Sequence, residues 1–225
     1  MIENLEPDSD LVQRFSKDLE RYRGSLFWNL QEKYDESDLE DFSQLYDENL
    51  NKFIEREKLF YNKVVSTLRA YVWEEQDTSF YLFFDIDETI ATRCQDSCGK
   101  VKGDIIRPSL KILLQDLQHI YPNIRFAICS SRGQEHIEKF IEEHSEYPFE
   151  FGVSSRGFSC DPLDDESRWR NCRMWHYNKA RAMVDISEKY SPSRCILVDD
   201  IIESPFEEKK LWISVWSSQF YGSFF

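Results

Sequence analysis

The first third of the chain carries apolar side chains at helical spacing. Over residues 38–71 an apolar or aromatic residue recurs at most steps of three or four positions, and the opposite face is charged. This period is typical of a helix with one buried face. A shorter segment of the same kind runs from Ser9 to Leu30, and the polar stretch KYDESD separates the two. We therefore predict a helical hairpin over residues 1–78.

The apolar stripe of this hairpin needs a surface to cover it. The hairpin could pack on the rest of the chain as an added layer, close over a site as a lid, or form a dimer interface. Aromatic side chains at core-like spacing favour the added layer, because such stripes are usually buried. All three uses stay open at this point, and with them the oligomeric state.

From residue 79 onward the pattern changes to short apolar runs. Such runs alternate with amphipathic segments of helical period, which indicates a parallel sheet with helices on both faces. The predicted fold class is therefore α/β, with residues 79–225 forming one such unit. The runs are residues 80–84, 124–129, 149–153, 195–198 and 211–216, and the helical segments are 109–120, 134–143 and 177–190.

Polar side chains stand at the ends of three of these runs. Asp85 and Asp87 follow the first run, Ser130 follows the second, and Asp199 and Asp200 follow the fourth. Ligands of parallel sheets bind beyond the carboxyl ends of the strands, so we expect these side chains to meet. Neighbouring carboxylates repel one another unless a cation lies among them, and hard oxygen ligands suit Mg²⁺.

Four motifs occur in an order that resembles a known superfamily. They are DIDET, AICSSR, Lys179 near the start of a helix, and ILVDD. Together they resemble the signature motifs of the haloacid dehalogenase (HAD) superfamily of phosphatases and phosphotransferases, whose fold is a Rossmannoid parallel sheet. IIRPSLKILLQDL and the last strands are also similar to the FCP/SCP group, the phosphatases of the RNA polymerase C-terminal domain. That group has a β-hairpin flap after its first motif, from which the polar segment ATRCQDSCGKVKG departs.

The resemblance implies a role for each motif residue. Asp85 would be the nucleophile that takes the phosphoryl group as an aspartyl-phosphate, and Asp87 would be the general acid and then the general base. Ser130 would donate a hydrogen bond to a phosphoryl oxygen, and Lys179 would pair with the nucleophile. Thr89 is expected to hold the turn through a hydroxyl-to-backbone bond. The implied Mg²⁺ ligands are Asp85, Asp87 through its carbonyl, Asp199 and, through water, Asp200.

These assignments have structural alternatives. Asp85 and Asp87 could merely cap a strand end, and Ser130 could be a small residue in a buried strand. Arg181 or Lys189 could serve in place of Lys179, but only Lys179 stands at the start of the helix. A degenerate, non-catalytic HAD domain is the more serious rival. Such domains usually lose a carboxylate from the first motif, and this chain keeps them all, which favours catalysis.

The intervals between motifs bear on the substrate. None is long enough for a cap domain, so we expect an open site that suits a large substrate, such as a phosphorylated protein side chain. Ser131 and Arg132 follow Ser130 and are candidates for substrate contact. Arg168 and Arg170 lie in a loop with several tryptophans, which could hold anionic groups or simply pack on neighbouring helices.

Composition and charge limit the kinds of partner and the cellular compartments to be expected. The 225 residues carry a net charge of -14, so we expect no direct binding of nucleic acid. No segment reads as a signal peptide or a membrane span. Six cysteines without an export signal indicate reduced thiols in the cytoplasm or another intracellular compartment, although export by a route without an N-terminal signal stays open. A zinc cluster of Cys94, Cys98, Cys160, Cys172 and His176 matches no common spacing, and scattered thiols are favoured.

These expectations combine into one leading hypothesis. The chain is predicted to be a Mg²⁺-dependent phosphatase of phosphoproteins, acting on phosphoserine and phosphothreonine or on phosphotyrosine. The alternatives are a phosphatase of small phosphomonoesters or nucleic-acid ends, and a non-catalytic HAD-fold interaction protein.

Overall fold

The computed structural model describes residues 8–14, 39–72, 79–95, 101–158, 179, 182, 194–200 and 212–215. Among these residues, two helices precede an α/β unit. The helices are α1 (Asp8–Arg14), α2 (Leu39–Val72), α3 (Leu110–Ile120) and α4 (Gln134–Glu143). The strands are β1 (Phe80–Phe84), β2 (Ala91–Gln95), β3 (Val101–Ile106), β4 (Ile124–Ser130), β5 (Phe149–Ser154), β6 (Arg194–Asp199) and β7 (Trp212–Ser214), and a short 3-10 helix (Ser155–Phe158) follows β5.

Five of these strands form one parallel sheet in the order β5-β4-β1-β6-β7. Strand β1 is central, and its last residue, Phe84, lies opposite Ile128 of β4 and Val198 of β6. The chain leaves β1 towards β4 on one side and returns to β6 on the other. A crevice opens at the carboxyl ends of strands where such connections diverge. The predicted α/β class is confirmed, with a Rossmann-like parallel sheet flanked by helices.

The two faces of β1 are buried against different elements. Phe80, Leu82 and Phe84 join one apolar cluster with residues of α2, α3 and α4. Tyr81 and Phe83 point to the opposite face and belong to a second cluster, which includes Ala182. Successive side chains of a strand alternate between faces, so a run that is apolar throughout is buried on both.

Helix α2 packs on the α/β unit. Phe60, Val64 and Leu68 on its apolar stripe are fully buried in the cluster that also holds the α3 residues. The Tyr61 hydroxyl donates a hydrogen bond to Asp116 of α3 at 2.5 Å. These described stripe residues are therefore covered by the chain's own core, and this part of α2 forms an added layer. The predicted link between the two N-terminal helices lies outside the described residues.

The polar segment after the first motif forms a β-hairpin. Strands β2 and β3 pair antiparallel, from Ala91 opposite Ile106 to Gln95 opposite Val101. The expected departure from a hairpin flap was wrong. The pairing includes a register shift at Cys94/Gln95, and Gly103 adopts a φ of 153°, which side chains with a Cβ rarely reach. The hairpin is formed by backbone pairing and a glycine with positive φ. Because neither strand is a continuous apolar run, the apolar pattern of the sequence does not predict it.

The remaining predicted elements agree with the structure wherever it describes them. Helix α4 and strand β1 have the predicted bounds, and the other strands differ by one or two residues. Lys179 and Ala182, from the predicted helix 177–190, are both helical. Cys129 and Cys195 are buried free thiols, whereas the side chains of the zinc alternative lie outside the described set. No described helix has both the length and the apolarity to cross a membrane.

Candidate active site

Three carboxylates meet at the carboxyl ends of β1 and β6. Asp85 is the first residue after β1, Asp199 ends β6, and Asp200 follows it. One carboxylate oxygen from each lies within 4.8 Å of the other two. The backbone N–H of Asp85 donates to the Val198 carbonyl at 3.0 Å, which fixes the first carboxylate beside the second. The predicted convergence of these residues at one edge of the sheet is what the structure shows.

Lys179 bridges two of these carboxylates. Its Nζ lies 3.0 Å from Asp85 Oδ2 and 2.8 Å from Asp199 Oδ2. The lysine and Asp85 are each only 4% exposed, so both ion pairs are shielded from water. The other oxygen, Asp85 Oδ1, is buried and has no hydrogen-bond partner among the described residues. Lys179 thus holds one oxygen of Asp85 and leaves the second available.

Burial disfavours the ionised form of the carboxylates in this cluster. It raises the pKa of Asp85 to about 6, an effect that Lys179 opposes and Asp199 reinforces. Burial likewise raises the pKa of Asp199 to about 6, with Lys179 again opposing it and Asp200 adding to it. Burial also disfavours the Lys179 ammonium, but Asp199 and Asp85 outweigh it and raise the pKa of the lysine. One ammonium is therefore too little charge for three neighbouring carboxylates.

The residues present fit a small divalent cation. The donors are carboxylate oxygens, the ligands that Mg²⁺ prefers. The raised pKa values of Asp85 and Asp199 indicate mutual repulsion that a cation would offset. Asp85, Asp199 and Asp200 are the described side chains that would hold it.

Asp87 faces a different cation. Arg132 donates from Nε to Asp87 Oδ2 at 3.0 Å and from Nη2 to Oδ1 at 2.7 Å. The other edge of the guanidinium donates to both oxygens of Asp104 in β3, each at 2.8 Å. Burial lowers the pKa of Arg132, but the bonds to Asp104 and Asp87 outweigh it and raise that pKa. Arg132 thus ties Asp87 to the hairpin β2–β3, and its contact with substrate stays a prediction.

Ser130 and Ser131 lie at the end of β4, next to β1. Ser130 is fully buried, and its Oγ accepts the backbone N–H of Arg132 at 3.3 Å. The Ser131 carbonyl accepts a hydrogen bond from Arg156 Nε at 2.6 Å. Both serines are thus part of the strand-end turn that carries Arg132. The other two predicted substrate contacts, Arg168 and Arg170, lie outside the described residues.

The turn after Asp87 differs from its prediction. Thr89 is buried, and its Oγ1 has no hydrogen-bond partner among the described residues, so the expected hydroxyl-to-backbone bond was wrong. The backbone closes the turn itself, because the N–H groups of Ile90 and Ala91 both donate to the Ile86 carbonyl, at 3.1 and 2.9 Å. The threonine hydroxyl is therefore not needed there.

Glu88 is a member of the site that sequence reasoning missed. It has a φ of 61°, the left-handed region that non-glycine residues rarely adopt and that concentrates at functional sites. Burial raises its pKa to about 7, and Asp200 and Asp87 add to this. Its position inside the first motif was the only signal, because one acidic residue in a turn is otherwise unremarkable.

The described side chains place a positive charge and potential cation ligands beside a buried carboxylate. A carboxylate with one available oxygen, a buried ammonium and a group of cation ligands stand side by side at the end of a parallel sheet. Such positioned charges act strongly where water is excluded. Comparisons of the chain with models of protein families, with curated proteins and with solved structures gave no match.

Proposed function

We propose that this protein is a Mg²⁺-dependent phosphatase of the HAD type that works through an aspartyl-phosphate on Asp85. The observation that carries the proposal is the contact of Lys179 with both Asp85 and Asp199, which leaves Asp85 Oδ1 buried and unbonded within a group of carboxylates. The order of the sequence motifs supports the same reading. When bound, Mg²⁺ would offset the negative charge of the phosphoryl group and of the carboxylates around it.

Asp85 supplies the nucleophilic oxygen. Lys179 holds Oδ2 at 3.0 Å, so Oδ1 is the oxygen that attacks phosphorus while the bond to the leaving oxygen breaks. Lys179 keeps the carboxylate ionised and remains close to the charge that develops on the phosphoryl oxygens. Hydrolysis of the resulting acyl phosphate regenerates the carboxylate and releases inorganic phosphate.

Asp87 serves as the general acid and then as the general base. It stands two residues after the nucleophile, and its side chain is 34% exposed, so a substrate can reach it. As a general acid it protonates the leaving oxygen, and as a general base it then takes a proton from the attacking water. Arg132 orients both carboxylate oxygens of Asp87 by its bidentate contact and stabilises the ionised form to which the residue returns.

The proposed substrates are phosphoproteins. The intervals between the motifs leave no room for a cap domain, and the described interval after β1 is a two-stranded hairpin. Such a site accepts a side chain that projects from a large molecule. The second candidate is a phosphatase of small phosphomonoesters, or of nucleic-acid ends; the net charge of -14 disfavours the nucleic-acid version.

A non-catalytic interaction protein is a third candidate, and the packing of α2 argues against it. In that reading the N-terminal helices present their apolar stripe to a partner. The stripe residues Phe60, Val64 and Leu68 are instead fully buried against the protein's own core. A helix whose apolar face is already covered has little left to offer a partner groove.

Phosphate release tests the proposal. Phosphoserine, phosphothreonine and phosphotyrosine peptides are assayed beside nucleotides and sugar phosphates, with and without Mg²⁺. We expect Mg²⁺-dependent release from phosphopeptides, its loss in Asp85→Asn, and its retention in Asp47→Asn, which changes an exposed aspartate of α2 in the same way. Turnover by the Asp85 variant would contradict the nucleophile, and a preference for nucleotides would contradict the substrate class.

A further inference from the structure

The tetrapeptide Ser-Ser-Arg-Gly occurs twice, at the ends of two neighbouring strands. The first copy begins at Ser130, the last residue of β4, and the second at Ser154, the last residue of β5. These two serines lie opposite each other in the parallel pairing of the strands. Each begins the same turn, because its Oγ accepts the backbone N–H of the arginine two residues later, at 3.3 Å in the first copy and 3.2 Å in the second. The two copies therefore stand side by side at the carboxyl edge of the sheet.

The second copy holds the backbone of the first. Its three polar side chains donate hydrogen bonds to three successive carbonyls of the turn after β4. The pairs are the Ser155 hydroxyl with the Ser130 carbonyl at 3.3 Å, Arg156 Nε with the Ser131 carbonyl at 2.6 Å, and the Ser154 hydroxyl with the Arg132 carbonyl at 2.6 Å. The turn that carries the predicted phosphoryl contact is thus fixed from the β5 side.

The two arginines of the repeat are engaged in different ways. Arg132 is buried and donates to the carboxylates of Asp87 and Asp104. Arg156 is exposed, and its side chain donates through Nε alone. Among the described residues no carboxylate pairs with Arg156, and neither of its terminal nitrogens has a hydrogen-bond partner. Arg156 is therefore a cation that is anchored at one end and open at the other.

The position of Arg156 suits a group that lies beside the reacting phosphate. Strand β5 is two strands from β1, and Arg156 reaches back to the turn after β4. Neighbouring strands lie about 4.8 Å apart, so the arginine lies roughly 5–10 Å along the edge of the sheet from the end of β1. This separation is that of a neighbouring group of the same substrate molecule. An arginine that is already anchored loses little side-chain freedom when it binds a carboxylate or a phosphate.

We propose that Arg156 is a specificity-determining residue, which binds a second anionic group close in sequence to the phosphorylated residue of the substrate. The group is the carboxylate of an acidic side chain or a second phosphate. The terminal nitrogens of Arg156 donate to its oxygens, and Nε keeps its bond to Ser131. Because the chain has a net charge of -14, an unpaired cation at this edge favours an anionic segment that the overall charge would repel. This inference rests on the proposed function for the substrate class, a phosphorylated protein segment.

Matched phosphopeptides test this preference. Each peptide carries the phosphorylated residue that the wild type hydrolyses best and has Glu, Gln or a second phosphoserine at one of the four positions within two residues of it. We expect wild-type kcat/KM to be about fivefold higher with Glu than with Gln at one position at least, the upper range for an exposed ion pair, and the difference to lie in KM. A second phosphate should give a larger ratio than Glu because it carries more charge. In Arg156→Gln the ratio of Glu to Gln peptides should fall to about one.

Two further variants separate the charge of Arg156 from its bond to the turn. Ser154→Ala removes the 2.6 Å bond to the Arg132 carbonyl and keeps the charge of Arg156. We expect it to lower kcat/KM for the Glu and Gln peptides alike, so that their ratio stays within about twofold of the wild-type ratio. Arg125→Gln is the matched charge control, because Arg125 is an exposed arginine near the opposite end of β4. It should also keep the ratio.

Binding of the same peptides to Asp85→Asn, followed by fluorescence anisotropy, requires no turnover. We expect the same preference for Glu over Gln, and its loss in the double variant with Arg156→Gln. Equal binding of both peptides, a preference that survives in Arg156→Gln, or a preference lost equally in Ser154→Ala would overturn the inference. If the wild type releases no phosphate while Asp85→Asn binds the Glu peptides through Arg156, the proposed function fails and the anion site stands.

Discussion

Replacing Lys179 with methionine removes the ammonium that lies between Asp85 and Asp199. The lysine is 4% exposed and bonds to the two carboxylates at 3.0 and 2.8 Å. Methionine fills a similar volume, so the main change is electrostatic. Two buried carboxylates then face each other without their shared counter-charge, which the folded protein can relieve only by taking up a proton or a cation.

The size of the effect follows from burial. Removing one partner of a buried ion pair typically costs about 3–5 kcal/mol, which we expect for Lys179→Met at pH 8 without Mg²⁺. In the wild type both carboxylates have a pKa of about 6, so both are ionised at that pH. In the variant one of them keeps its proton to higher pH. The deficit should therefore shrink by up to about 1.4 kcal/mol for each pH unit between 8 and 6.

Urea unfolding followed by tryptophan fluorescence at pH 6, 7 and 8 measures this deficit. Added Mg²⁺ should restore part of the lost stability at pH 8, because it supplies positive charge to the same carboxylates. Lys58→Met is the control; Lys58 pairs with an exposed glutamate one helical turn away, and we expect a loss of about 0.5 kcal/mol or less. A deficit for Lys179→Met that is equal at pH 6 and pH 8 and unaffected by Mg²⁺ would refute the electrostatic account.

Three further predictions test the packing, the hairpin and the carboxylate group. Gly152→Ala places a Cβ 2.1 Å from Ile137 Cγ2, so we expect urea unfolding to show a loss of about 2–3 kcal/mol. Ile137→Ala should relieve part of that loss in the double variant. If the losses of the two single variants simply add in the double variant, the clash is contradicted. Asp104→Asn removes one carboxylate from the arginine that ties the hairpin β2–β3 to the site, so hydrogen exchange of the hairpin should quicken at least about tenfold while α3 is unchanged; unchanged exchange would show that the contact does not hold the hairpin. Burial raises the pKa of Asp85 and Asp199 to about 6 from 3.8. Between about pH 4 and pH 6 the folded chain therefore holds protons that the unfolded chain has lost. The stability of the metal-free protein falls as pH rises through this window. Mg²⁺ should therefore raise Tm more at pH 8 than at pH 5, and an equal rise at both would contradict that linkage.

The sheet and the central site residues could be predicted from the sequence because each has a local signature. Strand β1 is apolar at every position, which a strand buried on both faces requires. Asp85 and Asp199 follow such runs directly, and parallel strands bring their carboxyl ends to one edge. Lys179 could be placed because it stands at the beginning of a predicted helix in the expected order of motifs.

The hairpin and the Arg132 contacts could not be predicted, because their cause is not local. The strands of the hairpin mix polar and apolar residues without a continuous apolar run, and Asp104 binds Arg132, which lies 28 residues away. Arg132 follows Ser130 at a strand end, which made a substrate contact the natural interpretation. In the structure, Asp87 and Asp104 accept hydrogen bonds from four of its five N–H groups.

The position of Glu57 in the sequence weakly indicates that it is buried. It lies three residues after Ile54 and three before Phe60, so it interrupts the apolar stripe of α2 with a charge. A carboxylate at a core position of a helix requires a buried partner. Sequence periodicity reveals that need, but it does not identify Arg107 and Ser109, which lie 50 and 52 positions further along the chain.

The most direct measurement is the capture of the phosphoryl group on Asp85. The protein is mixed with Mg²⁺ and a reactive aryl phosphate, quenched in acid, digested and analysed by mass spectrometry, with hydroxylamine added to half of the sample. We predict a phosphoryl adduct on the peptide that contains Asp85, sensitive to hydroxylamine and absent without Mg²⁺ or in Asp85→Asn. Rapid phosphate release with no adduct on that peptide, or an adduct that persists in Asp85→Asn, would contradict the account.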